Sequence, residues 1–346
     1  MSGVAPGRLL GELPPPGHEP LGARLSELRY RAVWAAAAHL PERVARRLPA
    51  RLGRAWLAAA PARQREQVAR NLGRVLGRPG GDVRRSELLA AYTSYARYWL
   101  DAFRLHVMDV PTVIREARGE GFEHIDAVRD SGRGGILATA HLGSWDVGAL
   151  WSSHRRWGMV VVAEVVAPRR LFERFVDLRV TAGIDVVPLV RGGPMLDVLE
   201  DRIGAGGLAT LLADRDLTRR GPIVEFFGEP CRLPPGTAAL ARRTGRPVAT
   251  GAWLTDGDGF RCVILPAVDV ADLDVHDGVQ RLAGELERLI RVAPEQWHVF
   301  VPNWLADREP DHPVVAIHRA GGDWRAAARA EWDARAAGGG SGGGPR

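Results

Sequence analysis

From about residue 120 onward, short β-branched runs alternate with helical stretches, and this alternation limits the possible fold more than any other feature of the chain. The runs are "GGILATA", "MVVVAEVV", "IDVVPL", "GLATLLA", "RPVATGAWL" and "FRCVILPAV". Between them lie "WDVGALWSSHRRW", "RRLFERFVDLRVTAG", "GPMLDVLEDRIGA" and "PGTAALARRTG". Apolar strands separated by helices of roughly 10–15 residues indicate an α/β fold, with a mostly parallel central sheet flanked by helices. In such sheets the chemistry gathers beyond the carboxyl ends of the strands.

The remaining segments have other textures. Residues 1–20 are rich in proline and glycine and are expected to be disordered, as is the closing "GGGSGGGPR". Residues 21–120 are dominated by alanine, arginine and leucine and predict a basic helical region; 121–310 hold the α/β core, and 311–346 a C-terminal helix and the glycine-rich tail. Residues 1–70 carry twelve arginines, five glutamates and no aspartate, a surplus of seven charges against six for the whole chain. Nucleic acid, an anionic membrane surface or plain solubility each fit such a distribution. Over 43–56, a step of about 100° per residue puts Arg43, Arg47, Arg51 and Arg54 on one face. Ala45, Leu48, Leu52, Ala55 and Trp56 share the other, and Pro49 is expected to split the segment into two helices. The longest uncharged run, Gly134 to Trp145, has twelve residues, short of the roughly 20 that span a bilayer. No secretory signal stands at the start. Cys231 and Cys262 have no metal-ligand spacing and read as thiols in a reducing cytoplasm.

Three polar constellations stand at strand ends. In "ATAHLGSWD", His141 falls in a strand-to-helix turn and Asp146 in the first turn of the following helix. A continuous helix would hold them about 140° apart, whereas a turn can join carboxylate and imidazole. That pairing would fix the imidazole tautomer and leave its other nitrogen free to accept a proton; a structural hydrogen bond is the plainer alternative. Ser144 is placed to cap the helix. In "DRDLTRRGPIVEFFGEPCRLPPG", Asp214 and Asp216 end another strand, ahead of Arg219 and Arg220. These carboxylates suit a metal, substrate hydroxyls or the neighbouring arginines. A hairpin carrying Phe226 and Phe227 follows, and "LPPG" opens a helix whose start could face an anion. Glu164 ends a third strand, with Arg179 on the next helix; surface ion pairing is the plain reading of both. There is no G-x-x-x-x-G-K-[ST], no G-x-G-x-x-G after a strand and no H-E-x-x-H. The single G-x-S-x-G, Gly339 to Gly343, lies in the tail with no strand before it.

Taken in order, these stretches resemble a known family. "HLGSWD" resembles the H-x4-D motif of glycerolipid acyltransferases. The succession of H-x4-D, E…R and D-R-D…FFGEP…P-x-G is similar to the lipid A late-acyltransferase superfamily, and within it to the actinobacterial phosphatidylinositol mannoside acyltransferases. The likeness runs from about 28 to 308 and includes "QVARNLGRVLG", "YARYWLDAFRL" and "PEQWHVFVPNWLAD". The resemblance implies that His141 is the catalytic histidine and Asp146 the aspartate that orients it. It places Glu164 in the lining of the site, Arg179 at the block-two arginine and His298 at a histidine near the family's carboxyl end. Asp214 stands where the mannoside acyltransferases carry glutamate and the lipid A branch aspartate, a difference that bears on the acceptor.

The resemblance further implies a glycerolipid acyltransferase-like fold with a membrane-facing helical N-terminal region, peripheral on the cytoplasmic face of the inner membrane. The donor would be acyl-CoA or acyl carrier protein and the acceptor a glycolipid hydroxyl, with no metal or bound cofactor. On this expectation Asp214 and Asp216 bind substrate, Phe226 and Phe227 house the acyl chain, nearby arginines meet the donor's phosphates, and the basic helices meet anionic lipids. A thioesterase or lipid hydrolase would use the same histidine with water as acceptor. A nucleic-acid-binding protein has only the arginine face in its favour, since charge downstream balances and no reading motif is present.

Overall fold

The structure, a computed structural model, describes residues 6–13, 30, 32–190 and 192–338. Its strands are β1 (Ala117–Glu120), β2 (Gly135–Thr139), β3 (Met159–Glu164), β4 (Asp185–Leu189), β5 (Leu208–Leu212), β6 (Ile223–Phe226), β7 (Glu229–Arg232), β8 (Val248–Asp256) and β9 (Gly259–Val268). Seven of them form one sheet in the order β1-β9-β8-β2-β5-β3-β4, and β6 and β7 form a separate hairpin. From β8 to β4 all neighbours are parallel; β9 runs antiparallel to β8 and carries β1 with it. The mostly parallel sheet read from the sequence is therefore the sheet of the protein.

Helices cover both faces, which is why the central strands are continuously apolar rather than alternating. All five residues of β2 are buried. Ile136 and Ala138 point into a core shared with Leu211, Val248 and Leu286. Leu137 points the other way, to Val147, Trp151 and Trp253. The strand pleat thus divides one run between two cores. Edge strand β1, "ARGE", escapes such reading because it is polar and largely exposed, and joins the sheet through its backbone.

In the N-terminal region, α1 (Glu42–Ala59), α2 (Ala62–Val75) and α3 (Arg85–Arg104) pack together. The break expected at Pro49 is absent: α1 is one helix with Pro49 inside it. Its buried stripe is Ala45, Pro49, Gly53 and Leu57, at intervals of four, while Leu52 and Ala55 of the expected buried face are exposed. Close approach explains both departures. A Cβ on Gly53 would lie 2.6 Å from the Thr93 backbone, so only small side chains let α1 and α3 meet here. That packing offsets the roughly 3 kcal/mol of an interior proline. All four arginines named above face outward with Val44 and Leu52. Residues 6–13 also depart from expectation. Leu9 bridges Val186 in parallel, and backbone bonds join Gly7 to Val180, Leu10 to Val186 and Val186 to Arg8. This segment lies along the β4 edge. The rest of 1–20 and the tail at 339–346 fall outside the described residues.

The turn leaving β2 is pinned on two sides. Gly143 N–H donates to the Gln296 carbonyl (2.9 Å) and Ser144 N–H to that of Trp253 in β8 (2.7 Å). Gly143 has φ +66°, and a Cβ there would stand 2.0 Å from the Trp253 oxygen. Gly143→Ala should therefore cost more than the roughly 1–2 kcal/mol of a left-handed backbone alone. A lowered midpoint in chemical denaturation checks this; an unchanged midpoint counts against the turn as described.

Candidate active site

The register of the sheet builds the site. β2 pairs with β5 so that Thr139 faces Leu212, and two residues beyond each strand stand His141 and Asp214. Their side chains meet there. His141 Nδ1 lies 2.8 Å from Asp214 Oδ1, and the His141 backbone N–H donates to Oδ2 at 3.0 Å. The Trp297 indole N–H donates to the same oxygen at 2.7 Å, and Asn303 Nδ2 donates to the Asp214 carbonyl at 3.0 Å. Asp214 is wholly buried, while the His141 side chain keeps 25% of its exposure.

Burial alone would raise the Asp214 pKa. The His141 charge and its hydrogen bonds, with that of Trp297, outweigh burial and hold the carboxyl below its ordinary value. An ionised carboxylate only accepts, so the proton between the two groups belongs to Nδ1. In the neutral ring Nε2 then carries the lone pair, so that form of the imidazole is set up as a proton acceptor.

The aspartate expected to orient this ring does something else. Asp146 lies in the first turn of α4 (Trp145–His154), 3% exposed. Its Oδ1 accepts from Arg179 Nε (2.9 Å) and lies 2.8 Å from Nη2, and its Oδ2 accepts from the Tyr98 hydroxyl at 3.1 Å. The pairing of His141 with Asp146 is corrected to His141 with Asp214. Once the helix begins at Trp145, Asp146 projects toward α3 and α5 (Arg169–Thr181), whereas His141 still follows the strand and turns to β5. Burial and then the Asp146 charge push the Tyr98 phenol well above its ordinary value. Burial also opposes the Arg179 charge, but Asp146 and Tyr98 overcome this and raise its pKa. Ser144 departs from expectation as well. It occupies the N-cap position, but its hydroxyl donates to Asp101 Oδ2 (3.1 Å), which Arg97 also holds.

His298 is brought to the site. Its N–H donates to the His141 carbonyl (2.7 Å), its Nε2 pairs with Ser94 Oγ (2.9 Å) and its ring stacks on Tyr95 at 4.9 Å. Burial first, then the His141 charge, lower its pKa to about 3; it is a neutral neighbour of His141. Trp145 meets the His141 ring edge-on at 5.6 Å and stacks on Tyr98 at 3.8 Å. Glu164 ends β3, two strands from β2, and is exposed.

Other expected substrate contacts are committed elsewhere. Both Asp216 oxygens accept from its own loop, from Thr218 N–H and Oγ–H and from Gly221 N–H. Phe226 and Phe227 do not line an open groove. Phe226 is fully buried, stacks on Trp304 at 5.8 Å and, with Phe227 and Trp304, boxes in Trp297. The hairpin pair therefore holds the indole that holds Asp214. Trp297, Asn303, Ser94 and Tyr98 belong to the site without having been singled out from the sequence. Cavities of about 440 and 280 Å³ open beside Phe260, and His141 lines neither. Among the described residues no His, Cys, Asp or Glu group is arranged to hold a metal.

Two predictions follow from these networks. Asp146→Asn leaves the Arg179 guanidinium with little to neutralise it and should cost on the order of 3 kcal/mol. Adding Arg179→Leu should recover part of this, read as unfolding midpoints; a single variant as stable as wild type contradicts the pair. His298 has a folded pKa far below its unfolded value of about 6.5, so the unfolded chain binds more protons between the two. Its contribution is complete above pH 6.5 and declines as pH falls toward 3, by about 2 kcal/mol at pH 5. His298→Gln should flatten that part of the stability profile, and equal slopes in the two proteins would refute the assignment.

Comparison with known proteins fits this geometry. Residues 25–306 match the family of bacterial lipid A biosynthesis acyltransferases. The chain is 37% identical over 292 residues to a protein of Mycolicibacterium smegmatis named phosphatidylinositol mannoside acyltransferase, covering 84% of this chain and 95% of that one. It is 39% identical over 246 residues to a Mycobacterium tuberculosis protein of the same name, covering 70% and 78%. A family match over most of the chain, around a histidine at the rim of a parallel sheet, makes this protein an acyltransferase of the bacterial lipid A biosynthesis acyltransferase family.

Proposed function

We propose that the protein transfers a long acyl chain from a thioester donor, acyl-CoA or acyl carrier protein, to a hydroxyl of a phosphatidylinositol mannoside. His141 is the general base, and Asp214 is the group that positions it. The observation that carries this reading is the His141 Nδ1–Asp214 bond, which commits one ring nitrogen and leaves Nε2 to take a proton.

In this mechanism the acceptor oxygen attacks the thioester carbonyl as Nε2 removes its proton. The tetrahedral oxyanion then collapses, the C–S bond breaks, and the imidazolium returns its proton to the thiolate. The ester forms without a covalent enzyme intermediate. General-base catalysis contributes roughly 10²–10⁴ in rate, and alignment of the two substrates supplies much of the remainder. The Asp214 charge stabilises the imidazolium as it forms. Backbone N–H groups at the start of α4 are our candidates for the oxyanion donors, since a helix start favours negative charge.

The acceptor is proposed from the names of the relatives. A membrane-surface location, on the cytoplasmic face, is supported by the exposed arginines of α1 beside Val44 and Leu52, since basic residues near anionic lipid contribute about 1 kcal/mol each. No described helix is long and apolar enough to cross a membrane.

His141→Gln should abolish transfer from palmitoyl-CoA to mannosylated phosphatidylinositol, read by mass spectrometry of the lipid product. Asp214→Asn should reduce kcat about 10²–10⁴-fold, because an amide at Nδ1 favours the tautomer with its proton on Nε2. Wild-type turnover by either folded variant excludes the assigned role. Free fatty acid in place of acylated lipid would identify a hydrolase.

A further inference from the structure

The loop that follows Asp214 carries charge that the fold leaves uncompensated. Asp216, 1% exposed, folds residues 216–221 around itself: Oδ1 accepts from Thr218 N–H and Oγ–H at 2.8 and 2.7 Å, and Oδ2 from Gly221 N–H at 2.8 Å. The loop this makes sets Arg219 at φ +59° and exposes it. From another element, Arg308 Nη1 donates to the Asp216 carbonyl at 2.7 Å. Its guanidinium thus lies close to the backbone that joins Arg215 to Arg219.

Several of the more deeply buried arginines sit on carboxylates. Arg74 pairs with Asp307 at 2.6 Å, Arg97 with Asp101 at 2.9 Å, Arg179 with Asp146 at 2.8 Å and Arg232 with Glu309 at 3.1 Å. Arg215, Arg219 and Arg308 have no such ion pair among the described residues, although Arg215 and Arg308 are half-buried. The nearby acids are taken: Asp214 by His141 and Trp297, Asp307 by Arg74, and Asp216 by its own loop. Burial loosens the hold of Arg308 on its proton; the Asp216 charge opposes this, and the charges of Arg219 and then Arg215 add to it, leaving the pKa lowered. Arg215 also directly follows the carboxylate that grips the base.

We propose that Arg215, Arg219 and Arg308 form a subsite for a phosphoryl group carried by one of the two substrates. The proposal rests on the acyl-transfer reading and adds to it the residues that would hold a substrate's phosphate beside His141. Guanidinium forks match phosphate oxygens bidentately, and charge-assisted bonds of this kind are the strong ones. Both the diphosphate of coenzyme A and the phosphodiester of an inositol lipid carry the required chemistry.

The test is equilibrium binding by calorimetry with the full chain. The probes are coenzyme A and, separately, water-soluble glycerophosphoinositol. Arg215→Gln and Arg219→Gln should each weaken one probe about tenfold, with unchanged melting temperature and a shallower salt dependence. Arg308→Gln is included where melting shows that the loop survives. Loss confined to coenzyme A assigns the subsite to the donor, and loss confined to glycerophosphoinositol assigns it to the acceptor headgroup. If the wild type binds neither probe, or both exposed-loop variants bind both within twofold of wild type, the proposal is overturned. No turnover is read, so the outcome stands apart from the fate of His141 as the base.

Discussion

One buried carboxylate organises the candidate active site. Asp214 has no exposure, yet it carries a charge, which burial makes expensive unless every lone pair is used. The fold meets that demand from three directions: β2 through His141, the 297–303 segment through Trp297 and Asn303, and the β6–β7 hairpin through the aromatic box around Trp297. The cost of the charge is thereby converted into a fixed orientation for one imidazole. Such preorganisation suits proton transfer, because the ring has no need to search for its orientation when substrate arrives.

The H-x4-D motif divides its labour. Its histidine belongs to the network of β5, while its aspartate belongs to a separate one that ties α4 to α3 through Tyr98 and to α5 through Arg179. The two networks touch along the aromatic wall of Trp145, Tyr98 and His298. The helical N-terminal region is consequently part of the site. Ser94 of α3 holds His298, and Asn71 Nδ2 of α2 donates to the Val299 and Val301 carbonyls, at 2.7 and 2.9 Å. The N-terminal helices and the segment that backs His141 are thus in direct contact.

Much of this was readable before any coordinates. The buried strands announced themselves because burial on both faces demands unbroken apolar runs. His141 and Asp214 were both recognisable as polar groups at strand ends. Their partnership was not, since it depends on β5 lying beside β2 across an offset of 73 residues, and local spacing says nothing about which strands are neighbours. Asp146 looked the better partner only because it was close in sequence. Trp297 sits among other aromatics in "PEQWHVFVPNW", and nothing local marks its N–H as reaching a carboxylate 83 residues away. For the same reason Phe226 and Phe227 looked equally suited to a lipid groove and to the core. Pro49 misled in the opposite sense, since helix packing overrode an intrinsic preference.

The two borders of the main sheet are finished differently. At β1, the side chains of Arg118 and Glu120 stand out into solvent. At β4, residues 6–13 run alongside and use the peptide N–H and carbonyl of Val186. An open strand border is a ready template for strand addition by another molecule, and natural folds protect it by charge or by cover. This chain does both, so that a shortened form lacking its first thirteen residues would present β4 as an adhesive rim, prone to self-association while its catalytic centre remained intact.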